Sequence, residues 1–146
     1  MQYVFNTKKV KRYCFPTHIN DLVMNRSEAE TSEVFVVVIA PGKAPPMHKH
    51  TDTEQIFYVL KGRGRLEIAG EKEEYQVKPG DFVRIPARTL HRIFCVSKGA
   101  LEYLAVDCFT KGRPQAEPTW ESHVAVMCRQ NGWDIKQVTS SGRLEA

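Results

Sequence analysis

The chain has 146 residues, of which 42% are hydrophobic and 26% charged, and it carries a net charge of +4. This length and composition are typical of one globular domain that can bury its own core. The longest apolar run, residues 34–40, is too short to cross a bilayer, and the first residues lack the apolar block of a signal peptide. We therefore expect a cytoplasmic protein with no membrane partner.

A basic cluster lies near the start of the chain and comprises Lys8, Lys9, Lys11 and Arg12. Such a cluster can contact phosphates, but no aromatic-interleaved or known nucleic-acid motif surrounds it. We interpret it as an exposed basic edge that opposes strand pairing between molecules, and we expect no nucleic-acid partner. Residues 1–32 as a whole are predicted to form a strand or arm region that packs on the domain that follows.

The middle of the chain contains seven short segments rich in β-branched and aromatic residues, separated by turn residues such as Pro41-Gly42. The predicted strands are residues 33–40, 55–60, 65–69, 75–77, 82–85, 92–96 and 101–107. Their even spacing predicts an antiparallel sandwich or barrel. Several strands are apolar at consecutive positions, which indicates that both faces are covered and hints at a homodimer.

The last part of the chain, residues 114–146, is predicted to form a short helix and a tail. Thr119 suits a helix N-cap, apolar residues follow at helical spacing, and Gly132 suits a C-cap. Asn131-Gly132 equally suits the turn of a hairpin between residues 124–130 and 133–138. We favour the helix, and we expect residues 139–146 to fray.

The cysteines of the chain give no signal for a zinc ribbon or a thioredoxin-type redox site, because they lie far apart and form no C-x-x-C pair. Each has an apolar neighbour, which is typical of a thiol packed as a small hydrophobic group. We predict that all of them are reduced structural thiols. They are Cys14, Cys95, Cys108 and Cys128.

Two histidines, His48 and His50, are separated by one residue. In strand geometry, residues at i and i+2 point to the same face, so the two imidazoles lie side by side. Neutral imidazole is a good ligand for borderline metal ions, and this pair therefore indicates a metal site. His18 and His123 match no motif, and we expect ordinary surface or core roles for both.

Two motifs with fixed spacing contain these histidines: Gly42-x5-His48-x-His50-x4-Gln55-x6-Gly62, followed by Gly80-x5-Pro86-x4-His91. The spacings resemble the two motifs of the cupin superfamily over about residues 33–109. The resemblance implies an all-β fold, the cupin double-stranded β-helix or jelly-roll barrel, with its core at residues 33–113. It also implies one divalent metal ion inside the barrel. By matched position, the ligands would be His48, His50, Gln55 and His91.

The family has a glutamate at the place of Gln55, and Glu54 lies one residue earlier. Alternation along the strand cannot choose between them, because both faces are apolar. We favour Gln55, since the turn at Gly62 fixes the register of the strand. The glycine and asparagine of the second family motif are replaced by Arg88 and Cys95, which bears on local loop shape rather than on metal binding.

The implied ligand set is neutral, because it consists of three imidazoles and one amide oxygen. The charge of a divalent ion would then stay uncompensated, so the site should attract an anionic substrate and act as a strong Lewis acid. Zinc, nickel, iron and manganese all suit these ligands.

The end of the last predicted strand, Asp107 to Arg113, has the spacing D-x-F-x3-R. It resembles the close of a small cupin group, the enzymes that linearise 4,5-unsaturated uronates. That resemblance implies that Asp107 handles a proton and that Arg113 binds a substrate carboxylate. The alternative roles are a turn former at the strand end for Asp107 and an exposed loop residue for Arg113.

The leading hypothesis is therefore a metal-binding cupin enzyme that acts on a small polar or anionic molecule, such as a sugar acid, by isomerase or lyase chemistry. The alternatives are an iron-dependent dioxygenase and a non-catalytic sugar-binding or sensor module. The fold alone does not separate these classes.

Overall fold

The computed structural model describes residues 1–70, 74–139 and 143–144. Within this part of the chain, most of the regular structure is β-strand, followed by two short helices. The strands are β1 Val10–Cys14, β2 Ile19–Met24, β3 Ser32–Ile39, β4 Thr53–Lys61, β5 Gly64–Ile68, β6 Glu74–Val77, β7 Phe82–Ile85, β8 His91–Cys95, β9 Leu101–Phe109 and β10 Arg143–Leu144. The helices are α1 Trp120–Asn131 and α2 Ile135–Thr139, and a 3-10 turn spans Arg26–Glu28.

The strands form two antiparallel sheets. The larger sheet has the order β10-β1-β2-β3-β9-β4-β7, and the smaller sheet has the order β6-β5-β8. The prediction of an all-β jelly roll with a short C-terminal helix is thus confirmed. The two strands of the predicted N-terminal arm, β1 and β2, continue the larger sheet beside β3.

Strand β9 shows how the sequence directs the core. Its burial alternates strictly, so that every second side chain from Leu101 to Phe109 points inward. Most of these inward side chains are apolar, but Asp107 is among them and is only 3% exposed. A carboxyl group on a buried row is costly unless it has a partner or a function. The exception therefore marks the part of the core where a polar site lies.

The turn between β4 and β5 depends on glycine. Gly62 has φ +75°, and a Cβ at this position would lie 2.4 Å from the main-chain oxygen of Ala100. Only a residue without a side chain fits such an approach. The turn therefore fixes where β4 ends, and a register shift between Val59 and Lys61 separates this end from the rest of the strand.

Helix α1 closes one side of the core. It begins at the N-cap Thr119, whose side chain accepts from the main-chain N–H of Ser122, and it ends at Gly132 in the left-handed conformation. Trp120 and the residues four and eight positions later are buried. The ring of Trp120 packs 5.0 Å from that of Phe35. The helix prediction is confirmed, and the hairpin alternative is wrong.

Two further predictions concern the tail and the cysteines. Of the predicted frayed tail, residues 140–142 and 145–146 lie outside the described residues, whereas Arg143–Leu144 pair with β1. All four cysteines fall within the described ranges and are free thiols, and Cys95 and Cys128 are buried. No helix within the described residues has the length and apolar character needed to cross a membrane.

Candidate metal centre

A cavity of about 530 Å³ is lined by residues of both sheets, of the loop before β4, and of α1. The predicted metal ligands His48, His50, Gln55 and His91 all line it. The structure therefore brings together four side chains that come from three separate segments of the sequence.

The loop before β4 is held against the start of β8. His48 and His91 form a β-bridge, with main-chain hydrogen bonds of 3.1 and 2.9 Å in the two directions. The main-chain oxygen of His50 accepts from the N–H of Arg88 at 2.6 Å. Arg88 has φ 63°, a left-handed conformation, at the position where the family motif has glycine. This turn places the backbone of His50 beside β8.

The three imidazoles form one cluster. The ring centroid of His48 lies 4.4 Å from that of His91 and 5.0 Å from that of His50, and the remaining pair is 6.2 Å apart. Nδ1 of His48 contacts the carbonyl oxygen of Pro46 at 2.7 Å, and Nδ1 of His91 contacts that of Thr89 at 2.8 Å. Since a carbonyl only accepts, both Nδ1 atoms carry the proton, and both Nε2 atoms keep a free lone pair.

Burial keeps these imidazoles neutral. It lowers the pKa of His50 to about 2 and that of His91 to about 4, and it also lowers the pKa of His48. The neighbouring imidazoles add to the effect on His50 and His91, because a second positive charge nearby disfavours protonation. Near neutral pH the three rings are therefore in the form that binds a metal ion.

Gln55 faces the cavity and Glu54 does not. Gln55 is 5% exposed and lies opposite Asp107 in the pairing of β4 with β9. Its Nε2 donates to Oδ1 of Asp107 at 2.8 Å, which leaves Oε1 directed elsewhere. Glu54 accepts from Arg84 at 2.7 Å on the exposed side of the sheet. The amide, rather than the carboxylate, therefore stands among the imidazoles.

The donor atoms of this cluster fit a divalent ion. Nε2 of His50, Nε2 of His91 and Oε1 of Gln55 are buried and have no hydrogen-bond partner in the described part of the chain. Imidazole nitrogen and amide oxygen are lone-pair donors to borderline metals. No group of three or more His, Cys, Asp or Glu side chains among the described residues has the geometry of a metal site. The support for a metal lies in the orphaned lone pairs.

Beside this cluster, a row of buried polar side chains crosses three strands. Glu33 on β3 lies opposite Asp107 on β9, which lies opposite Gln55 on β4. Arg26 forms two hydrogen bonds with Glu33, of 2.8 and 2.9 Å, and both side chains are almost fully buried. Burial raises the pKa of Glu33 to about 7, although Arg26 opposes the rise, and burial also raises the pKa of Asp107.

Asp107 lies within β9 and not in a turn, so its alternative role as a turn former at the strand end is wrong.

Arg113 lies beyond the end of β9. It is exposed, and its guanidinium donates to the main-chain oxygens of Ala29 and Ser27. The cavity lining in the described part of the chain includes Asp107 and Arg26 but not Arg113. Arg26, which sequence reasoning missed, supplies the guanidinium at the cavity wall. No sequence signal marks it, because its partner Glu33 lies in an apolar strand.

The two remaining histidines also line the cavity. Nδ1 of His123 lies 2.7 Å from Oε1 of Glu117. His18 contacts Oγ1 of Thr17 at 2.9 Å, and its ring stacks 4.9 Å from that of Phe15. All five histidines of the chain therefore lie around one cavity, which no motif predicted for these two.

The region from β3 to β9 matches a known family model. The model is described as a cupin domain, and it matches residues 35–107, which is half of the chain. This span contains all four side chains of the candidate metal centre, His48, His50, Gln55 and His91.

Individual proteins show the same similarity. The chain is 36% identical over 67 residues to an uncharacterized protein from Methanocaldococcus jannaschii, a match that covers 46% of this chain and 52% of that protein. It is 33% identical over 92 residues to quercetin 2,3-dioxygenase from Bacillus subtilis, covering 62% of this chain and 27% of that enzyme. The chain thus spans about half or less of the length of these curated relatives.

A solved structure shows the same fold. It is that of a predicted oxalate decarboxylase from Thermotoga maritima, with a TM-score of 0.62 and 18% identity, and the match covers 73% of this chain and 99% of that chain. At this level of identity, the similarity concerns the fold alone.

Proposed function

The chain belongs to the cupin-domain family, and from that premise we propose that it is a divalent-metal enzyme acting on a small polar molecule such as a sugar acid, by isomerase or lyase chemistry. The observation that carries the proposal is the set of three buried lone-pair atoms without a partner, on His50, His91 and Gln55. These atoms belong to neutral imidazoles and an amide at one cavity wall, and no other group in the described part of the chain forms a hydrogen bond with them. They are therefore available to bind a metal ion.

The proposed ligands are Nε2 of His48, His50 and His91 together with Oε1 of Gln55. A zinc, nickel, iron or manganese ion held by them would act as a Lewis acid that polarises a substrate oxygen. The protein supplies the orientation of the ligands. The carbonyls of Pro46 and Thr89 fix two of the rings, and Asp107 fixes the amide.

Asp107 is the group we propose to move a proton. It lines the cavity beside Gln55, and burial raises the pKa of its carboxyl group, which favours proton uptake. Ring opening of a 4,5-unsaturated uronate is an isomerisation that such a group can serve. The bond between C1 and the ring oxygen breaks, the hydroxyl on C1 loses its proton, and C4 gains one. No oxidant or second substrate is required.

A second candidate function is an iron-dependent dioxygenase. The 33% identity to quercetin 2,3-dioxygenase over 92 residues supports it, and that match covers 62% of this chain.

We also propose a homodimer, as the apolar strands predict. Tyr58 and Phe82, which are cross-strand partners, have exposed side chains at the outer edge of the larger sheet.

Metal content tests the ligand assignment first. The double variant His48→Ala/His50→Ala should lose the metal that the wild-type protein binds at one ion per chain, while circular dichroism shows an unchanged β fold. The matched control is His18→Ala/His123→Ala, which removes two histidines from the same cavity and should keep the ion. Stoichiometric metal in the first double variant would refute the assignment.

Activity then separates the candidate functions. Stripped protein is reloaded with each of the four metals and supplied with a 4,5-unsaturated uronate or with quercetin. We expect metal-dependent loss of the alkene absorbance of the uronate without oxygen uptake, and a loss of that rate in Asp107→Asn. Oxygen uptake with quercetin in the iron form would favour the dioxygenase. Binding of the uronate without turnover in any metal form would leave a non-catalytic module.

A further inference from the structure

Six of the seven buried side-chain polar atoms that lack a partner in the described part of the chain fall into two groups around the cavity. The first group belongs to the candidate metal centre and comprises Nε2 of His50, Nε2 of His91 and Oε1 of Gln55. The second comprises the hydroxyl of Tyr13, Oδ1 of Asn20 and Nε1 of Trp120. None of these three residues belongs to residues 35–107, which the cupin-domain model matches. The second group is therefore a feature of the segments that flank the family core.

These three side chains share one wall of the core. Tyr13 on β1 and Asn20 on β2 are cross-strand partners, and the ring of Tyr13 lies 5.8 Å from that of Trp120. All three residues are at least nine-tenths buried, at 0%, 4% and 0% exposure. Asn20 and Trp120 line the cavity directly. The three polar atoms are thus withdrawn from bulk water, and two of the three residues belong to the cavity wall.

The wall is held in place from outside the cavity. The main-chain N–H of Trp120 donates to Oδ1 of Asn25 at 2.9 Å, and the capping box at Thr119 fixes the first turn of α1. Because the backbone is fixed, Trp120 does not need its indole N–H for its own placement. A buried donor or acceptor without a partner is destabilising, so a fixed wall with three such atoms favours binding of a molecule that pairs with them.

The chemistry of the atoms identifies the class of that molecule. The indole N–H of Trp120 only donates, and Oδ1 of Asn20 only accepts. Burial raises the pKa of Tyr13 to about 12, so its hydroxyl stays protonated near neutral pH and can both donate and accept a hydrogen bond. A carboxylate cannot donate to Asn20, and an ammonium group cannot accept from Trp120. A neutral hydroxyl both donates and accepts, so hydroxyl groups suit both atoms.

We propose that Asn20 and Trp120, backed by Tyr13, form a second subsite of the cavity that binds the hydroxyl groups of a polyhydroxylated, carbohydrate-like ligand. The aromatic rings of Phe35 and Trp120, which both line the cavity, supply the apolar surface for the carbon face of such a ligand. As a substrate subsite this inference rests on the proposed function, because it would hold the part of the molecule remote from the metal centre.

The subsite is tested with glycerol as the probe. Crystals of the full chain are soaked in glycerol, and we expect its hydroxyl oxygens within hydrogen-bond distance of Oδ1 of Asn20 and of Nε1 of Trp120. The variant Trp133→Phe leaves Trp120 as the one tryptophan of the chain. In this background, glycerol should change the fluorescence, and Asn20→Leu should weaken that response about tenfold, the cost of one lost hydrogen bond.

Three results would overturn the proposal. They are ordered water at the two atoms that glycerol does not displace, a protein partner for both atoms, and an unchanged glycerol response in Asn20→Leu. Should Asn20→Leu fail to fold, the soaked wild-type crystal still decides. Metal content separates this inference from the proposed function, because Asn20→Leu touches no proposed ligand. Glycerol at the subsite in a protein that binds no metal would preserve the subsite and refute the metal enzyme.

Discussion

The buried histidines predict that the metal-free protein loses stability in mildly acidic solution. Burial lowers the pKa of His18 to about 3, of His50 to about 2 and of His91 to about 4. In the unfolded chain each imidazole titrates near its ordinary value of about 6.5. Below that pH the unfolded chain binds more protons than the folded protein, so the free energy of unfolding falls as the pH falls.

The magnitude follows from the pKa values. Between pH 7.5 and 5, each of the three imidazoles lowers the free energy of unfolding by about 2 kcal/mol, and His48 acts in the same direction. Glu33 and Asp107 act in the opposite direction, because burial raises the pKa of both carboxyl groups, and the value for Glu33 sets the magnitude. The pKa of Glu33 is raised to about 7, so the folded state takes up this proton first and gains about 2 kcal/mol. We expect a net loss of about 4 kcal/mol, which is large against a typical total of about 5–15 kcal/mol.

The assay is urea unfolding of chelator-treated protein at several pH values from 7.5 to 5, a range in which ordinary carboxylates stay ionised. The matched control is His18→Gln, which removes one of the buried imidazoles without touching a proposed ligand. Its loss of stability over the same range should be about 2 kcal/mol smaller. A free energy of unfolding that stays level, or an equal loss in wild type and variant, would refute the reasoning.

Three further substitutions test separate parts of the account. Gln55→Ala should weaken metal affinity, measured by calorimetric titration, while Glu54→Ala should leave it unchanged; equal losses would place the carboxylate in the centre. Arg88→Gly should raise the free energy of unfolding by about 0.5 kcal/mol. The left-handed conformation costs a non-glycine residue more free energy than glycine loses through the added entropy of the unfolded chain. A lower free energy of unfolding in urea would contradict this. Gly62→Ala should cost about 2–4 kcal/mol, since its Cβ meets a main-chain oxygen. Gly70→Ala is its control, because Gly70 also has a positive φ but no atom of the described residues lies within 4 Å of an added Cβ. This variant should cost about 1 kcal/mol. Equal costs would show that the backbone shifts to remove the contact at residue 62.

Local pattern predicted an antiparallel sandwich or barrel, and the resemblance to the cupin motifs added the jelly-roll fold and the set of four candidate ligands. The i, i+2 spacing of His48 and His50 predicts two rings on one face, and both rings line the cavity. The register of β4 could not be derived from alternation, because both of its faces are apolar. Gly62 fixes where β4 ends, but the pairing of β4 with β9 shifts register between Val59 and Lys61. The inward position of Gln55 therefore depends on its pairing with Asp107 across β9, which spacing from the turn alone does not determine.

The parts that sequence could not predict depend on contacts between distant segments. The pair of Arg26 and Glu33 joins a 3-10 turn to a central strand, and its partners have no fixed spacing that marks them. Arg113 follows β9 with the spacing of a substrate-binding residue, but its guanidinium contacts the main-chain oxygens of Ser27 in that turn and Ala29 just after it. The subsite at Asn20 and Trp120 unites residues 100 positions apart. Such groupings arise only when the sheets and α1 have packed together.

Anomalous diffraction from crystals of the purified protein, collected at the manganese, iron, nickel and zinc edges, tests the central claim most directly. The account predicts one peak about 2.0–2.2 Å from Nε2 of His48, His50 and His91 and from Oε1 of Gln55. It is contradicted by a peak held by Glu54, by a peak elsewhere on the protein, or by three imidazoles that stay apart after the crystals are soaked in all four metals.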